Sequence, residues 1–279
     1  MIEIKNYLKT LLALESDQNV LYQRNILKEY FQIILLNYIY SDQKYSGLIF
    51  YGGSSLAHCY DLPRLSEDLD FIDSTKKIDL NILASDLKSF FDKQTDLKPI
   101  IRIQKFRIEL KFPVLSDLGL ISEKKSESDL LIIKLEIYPD SLIVKNSQIE
   151  ILPLFKFNQS MLIKTFDLPT LMATKINAIL NRKWEKTDKK GNISIKVKGR
   201  DYFDLMWYLQ KEVKPNIRCI LGVKNIDELK TQLLTQIDQI DTRSIYLDLE
   251  ALIKDHQFTQ NLSKNIKEIL KKEVSQKLK

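Results

Sequence analysis

The sequence predicts an α+β protein: a mixed sheet flanked by helices, followed by a mainly helical C-terminal half. Three observations carry this expectation. The runs "DLDFID", "IIRIQKFRIELKF" and "DLLIIKLEIYP" alternate polar and apolar residues with the period of half-buried strands. Between them, "IDLNILASDLKSFFDK" has the spacing of an amphipathic helix. From "FDLPTLMATKINAIL" onward the pattern is mostly helical, ending in a Lys-rich tail. The boundary falls near 155–167 and is drawn here as 1–160, a sheet-bearing core with N-terminal helices, and 161–279, a mainly helical domain that completes the site.

In chain order, residues 1–43 read as helical, with Leu8, Leu11 and Leu12 and then Ile26, Tyr30 and Ile33 at helical spacing, and a break near Asp17 and Gln18. "GLIFY" at 47–51 is a short apolar run leading into Gly-Gly and reads as a buried strand. "SSLAHCY" reads as a short helix with Ser54 or Ser55 as N-cap. After the strand and helix around 68–93 come the two alternating runs, separated by the polar loop "SEKKSESD". Two helices, "FDLPTLMATKINAIL" and "DYFDLMWYLQKE", flank a basic stretch. No internal repeat or long low-complexity linker is visible.

Lys and Arg exceed Asp and Glu by six, which suits a polyanionic partner such as a nucleotide or nucleic acid. Cys59 and Cys219 give neither a disulfide framework nor zinc spacing, and with only His58 and His256 a structural zinc site is not expected. The N-terminus lacks the pattern of a signal peptide, and "IILLNYIY" is too short to span a bilayer, so a soluble protein of a reducing cytoplasm, with no membrane partner, is expected.

The stretch "GGSSLAHCYDLPRLSEDLDF" joins two signals. A strand ending in Gly52-Gly53-Ser54 and passing at once into a helix lets a phosphate approach the backbone and meet free N–H groups, with serine hydroxyls as added donors. Asp68 and Asp70, two apart on a strand, share one face, while Leu69 and Phe71 take the other. Two carboxylates side by side suit a divalent cation with hard oxygen ligands. Thirteen residues separate Ser54 from Asp68, enough for a short helix and a return strand.

This arrangement resembles the nucleotidyltransferase superfamily that includes polymerase beta. More narrowly, it resembles the AbiEii/AbiGii toxin family, which includes the Men-type toxins, at Gly52, Gly53, Ser54, Leu56, Arg64, Ser66, Asp68 and Asp70. His58 departs from the pattern, where a lysine or arginine is common. Two more blocks match: Leu171, Lys175 and Ala178, and the Arg200-Asp201-x-x-Asp204 helix. The resemblance covers about 50–210.

The resemblance implies a nucleotidyltransferase-like sheet and transfer of a nucleoside monophosphate from an NTP, with Mg2+ or Mn2+, to a tRNA 3′ end. It also implies a toxin paired with a cognate antitoxin. Asp68 and Asp70 become metal ligands. Gly52, Gly53, Ser54, Ser55 and Arg64 become nucleotide-binding residues. The pattern asks for a third carboxylate, for which Glu136 on the polar face of "LLIIKLEIY" is the candidate and Glu109 the rival. Lys175 interrupts an apolar helical face and so either snorkels out or meets an anion such as a triphosphate. Asp201 is expected to position Lys175 or the acceptor, with Asp204 as its partner, although an acidic first turn serves a helix dipole equally well. The resemblance further implies silencing by modification of Ser66, beside the carboxylates.

The stretch 182–200 carries eight Lys or Arg against two acids, with Trp184 among them, and suits an RNA backbone or a solvated loop alike. The six lysines of the C-terminal helix read as a solvated face. The alternatives to the toxin are an antibiotic- or small-molecule-modifying nucleotidyltransferase and a nucleotide-binding regulator without catalysis.

Overall fold

The computed structural model describes residues 3–121, 128–139, 142–182, 186–187, 193–195 and 197–278. By its internal contacts the chain forms two compact units. One holds 1–60, 65–140 and 151–165; the other holds 61–64, 141–150 and 166–279. Among the described residues, no helix is long and apolar enough to cross a membrane.

The first unit begins with helices α1 (Ile4–Ala13) and α2 (Val20–Ser41), separated near the expected break. The Asn19 side chain accepts from the Tyr22 amide and caps α2. Next come strand β1 (Ile49–Tyr51), helix α3 (Gly52–Cys59), strand β2 (Asp68–Ile72) and helix α4 (Leu80–Gln94), the last capped by Asp79. The run expected as one strand near 100–112 is a hairpin, β3 (Ile100–Gln104) and β4 (Arg107–Pro113), because Lys105 takes a positive φ of 45° and turns the chain. Strand β5 (Leu130–Tyr138) follows the polar loop, of which 122–127 lie outside the described residues.

Helix α5 (Leu142–Asn146) and strands β6 (Ile149–Lys156) and β7 (Gln159–Phe166) were not anticipated. The strands join through Phe157 and Asn158, both at positive φ, the geometry of a tight two-residue hairpin turn. The sheet runs β3-β4-β5-β2-β1-β7-β6. Strand β2 pairs antiparallel with β1 and parallel with β5, and β1 pairs parallel with β7, so the sheet is mixed.

Register fixes which residues share a face. Phe50, Phe71, Leu69, Leu135, Ile137 and Ile108 form one apolar layer, which belongs to a core with Phe31, Leu35, Leu87 and Phe91 from α2 and α4. Phe112 stacks on Phe31 with ring centroids 4.2 Å apart, and Phe91 meets it edge-on. The alternate positions, including Asp68, Asp70, Glu136 and Arg107, therefore lie together on the opposite face.

The second unit is mainly helical: α6 (Leu168–Asn181), α7 (Gly199–Gln210), a 3-10 turn at Ile217–Cys219, α8 (Ile226–Asp238), α9 (Thr242–Leu249) and α10 (His256–Lys277), with a small ribbon β8 (Lys186–Thr187) and β9 (Ile193–Ile195). Asp167, Asn225, Asp241 and Asp255 cap α6, α8, α9 and α10. All of α7 from Tyr202 to Leu209 is buried, so Phe203, Met206 and Trp207 line no separate apolar side; the whole circumference is packed.

Candidate active site

The glycine turn and the carboxylates meet on the first unit. Gly52 opens α3 at φ 81°, with Tyr51 in the N-cap position, so the expected cap at Ser54 or Ser55 is replaced by a turn two residues earlier. A Cβ built on Gly52 would stand 2.5 Å from Asp70 Oδ2. Glycine is thus required twice here, for its left-handed backbone and for the approach of a carboxylate.

Ser54 and Ser55 are fully buried, and their hydroxyls are occupied inside the protein. Ser54 Oγ donates to the Asp68 carbonyl, which ties α3 to the start of β2. Ser55 Oγ shares a 2.8 Å hydrogen bond with Thr165, whose hydroxyl donates to the Phe50 carbonyl. Both serines were expected to face a phosphate; instead they fasten the turn to its strands. The half-buried backbone of Gly52 and Gly53 is what the turn offers to an anion.

Asp68 and Asp70 are each half-buried on β2. Asp70 stands directly opposite Glu136 of β5 in a parallel register, and Asp68 opposite Lys134. Lys134 Nζ lies 3.7 Å from Asp68 Oδ1, with both side chains about a third exposed at 37% and 35%. Glu136 is 12% exposed, and Arg107 from β4 forms an ion pair with it. The Tyr138 hydroxyl donates to the other Glu136 oxygen; burial first, and then this bond, push the hydroxyl well above the ordinary range for tyrosine. The rival Glu109 stands opposite Lys134 and pairs with Lys111 at 3.2 Å. Glu136 is therefore the acid adjacent to the Asp pair.

Among the described residues, no group of three His, Cys, Asp or Glu is placed to hold a metal. Two hard carboxylates against a glycine turn fit a divalent cation completed by water and phosphate oxygens. Glu136 does not complete that set as it stands, because Arg107 and Tyr138 already occupy it.

Behind the carboxylates, His58 of α3 packs its ring over Phe50. Its Nε2 donates to Gln32 Oε1 at 3.0 Å, and the Gln32 amide donates to the Ser66 carbonyl at 2.9 Å. Gln32 has one acceptor oxygen, so this chain fixes the Nε2–H tautomer. His58 is therefore a buried neutral prop for the segment that leads into Asp68, with burial holding its pKa down to about 3. Ser66 is 8% exposed, so modification of its hydroxyl requires the segment to open first.

The second unit carries a separate ion-pair cluster. Lys175 of α6 meets an anion, as its position on an apolar face demands: Nζ lies 2.8 Å from Asp201 and 2.8 Å from Asp204, both on α7. Arg64 grips Asp204 through Nε and Nη2, each at 2.6 Å, with both side chains wholly buried. Arg64 was expected among the nucleotide-binding residues. A buried bidentate guanidinium is instead part of the scaffold. Burial would push the Asp201 carboxyl up, but the charge of Lys175, followed by Lys198, brings it down to about 2. Lys198 itself is lowered to about 8 by burial. The Lys175 side chain is 11% exposed, and its ammonium has two of its three donors on these carboxylates.

Arg107 and Arg182, the latter 3.8 Å from Asp201, were not singled out from sequence. Arg107 was signalled by its place two before Glu109 in an alternating run. Within the basic stretch 182–200, residues 183–185, 188–192 and 196, Trp184 among them, lie outside the described residues.

No curated protein matches the chain. Two solved structures are similar to it at 16% identity. JHP933 from Helicobacter pylori has a TM-score of 0.46, over 90% of this chain and 93% of that one. An antigenic nucleotidyltransferase-like protein from Paracoccidioides brasiliensis has a TM-score of 0.42, over 81% of this chain and 94% of that one. Residues 34–277 match the family model for the nucleotidyl transferase AbiEii toxin of type IV toxin–antitoxin systems, and the chain belongs to that family.

Proposed function

We propose that this nucleotidyltransferase toxin transfers a nucleoside monophosphate from an NTP to the 3′ end of a tRNA, with Asp68 and Asp70 holding the divalent cation. The observation that carries this reading is the approach of Asp70 to the Gly52 turn, which makes the anion-receiving backbone and the carboxylates one place. The tRNA acceptor is supported by the family resemblance and by the net charge of +6.

In the reaction, the acceptor hydroxyl oxygen forms a bond to the α-phosphorus as the bond to the β-phosphate breaks and pyrophosphate leaves. A bound divalent cation supplies Lewis-acid stabilisation of the phosphate oxygens. The chain's own part is to position. Gly52 and Gly53 present backbone N–H groups, and the bond from Ser54 to the Asp68 carbonyl fixes where Asp68 begins. Glu136, beside Asp70, is the proposed acceptor of the hydroxyl proton, on the oxygen to which the Tyr138 hydroxyl donates and which that hydroxyl must first leave. Asp201, held near 2, is a poor base at neutral pH, and with Asp204 it holds the Lys175 ammonium within the second unit.

Incubating the purified chain with labelled NTPs and total tRNA, and separately with aminoglycosides and lincosamides, tests the acceptor. Labelled tRNA is expected, and label on the antibiotics alone sinks the tRNA reading. Asp68→Ala and Asp70→Ala are each expected to lower transfer at least about a hundredfold and to release growth inhibition. Growth inhibition that survives Asp68→Ala removes the catalytic account.

A further inference from the structure

On the polar face of the sheet, charges fall into two cross-strand rows. In one, Arg102, Glu109, Lys134 and Asp68 stand side by side in alternating sign. In the next, Arg107 is followed by two adjacent carboxylates, Glu136 and Asp70. The corner formed by Asp68, Asp70 and Glu136 thus carries three negative charges, bordered by Lys134 and Arg107. The two borders differ. Arg107 is in close contact with a Glu136 that is nearly buried. Lys134 reaches Asp68 only at 3.7 Å, with both groups open to solvent. An exposed pair at that separation is weak and readily exchanged.

A divalent cation on Asp68 and Asp70 would change this balance. Three carboxylates, two basic side chains and a doubly charged ion leave the corner net positive by one. Lys134 would lose its carboxylate and lie beside the incoming cation. The arrangement becomes favourable again when a polyanion arrives with the cation.

We propose that Lys134, supported by Arg107, is a phosphate-binding subsite of the nucleotide that serves as a counter-ion to Asp68 until the nucleotide comes. This rests on the reading of Asp68 and Asp70 as cation ligands. It makes cation and nucleotide bind as a unit, because Lys134 opposes the cation alone and favours the cation with its triphosphate. Loading of the site then follows the nucleotide rather than the free cation.

The test is direct binding to the purified full-length chain, by Mn2+ electron paramagnetic resonance and calorimetry. Mn2+ is used alone and with each of the four α,β-methylene nucleoside triphosphate analogues. For Lys134→Met, Mn2+ alone is expected to bind about tenfold tighter and the Mn2+–analogue pair about tenfold weaker. Lys134→Arg should restore both values. A structural role would move the two affinities in the same direction, and that result, or no change in either, overturns the proposal. Lys134 is only partly buried, on the polar face of β5, so the variant is expected to fold, with its thermal unfolding as the check. If the wild-type chain binds no Mn2+ in either form, the metal reading falls and the subsite with it. Wild-type binding with an unchanged Lys134→Met variant removes the subsite alone.

Discussion

Gly52 and His58 show how much of this site is shaped by residues that carry out no chemistry. In Gly52→Ala, the new methyl would meet Asp70 Oδ2 at 2.5 Å, in a backbone conformation that disfavours any side chain. The cost is expected to be on the order of 1–2 kcal/mol of stability. Transfer activity should fall by at least tenfold, because the carboxylate that must move is Asp70. Thermal unfolding and a labelled-nucleotide assay read the two effects separately. The spacing of the glycines and the Asp-x-Asp pair was legible in the sequence, since strand periodicity places both carboxylates on one face. Their contact with Gly52 was not, because it depends on the φ of one residue. His58 was opaque for a similar reason: its partner Gln32 lies on a helix 26 residues earlier.

At the scale of elements, α7 is the clearest test of scaffold against site. Arg64 and Lys175 both terminate on its acidic residues, and Asp204 meets two donors from Arg64 and the ammonium of Lys175. Removing one member of a buried ion pair costs about 3–5 kcal/mol. Asp204→Leu should be worse than Arg64→Met, because it leaves two buried cations facing an apolar side chain. Urea unfolding midpoints order the variants. If Arg64→Met leaves stability intact and raises the KM for NTP, Arg64 contacts nucleotide after all. The Arg64–Asp204 pair spans 140 residues, so no local pattern in the sequence could reveal it. Strands β6 and β7 were missed for a different reason. Ile149, Ile151 and Phe155 are exposed while Leu154 is buried, so apolar residues fall on both faces and alternation disappears. Pro153 adds a further signal against a strand.

For the whole molecule, pH tolerance should be set from the acid side. His58, held neutral at about 3 against 6.5 when unfolded, contributes stability fully above 6.5. That contribution declines as pH falls from 6.5 toward 3, because the unfolded chain takes up a proton that the folded chain refuses. The slope from this one residue approaches about 1.4 kcal/mol per pH unit. Asp201, lowered to about 2, adds a second loss below about 3.8. Denaturation midpoints measured from pH 8 to pH 4 should decline from near 6.5 in the wild type, and a His58→Gln variant should lose the upper part of that slope. The same architecture has a genetic consequence. The turn at Gly52 has no room for any side chain, so nearly every missense change in that codon strikes the Asp70 carboxylate. For a cell escaping the toxin, a residue with no functional group is then as large a mutational target as the carboxylates themselves.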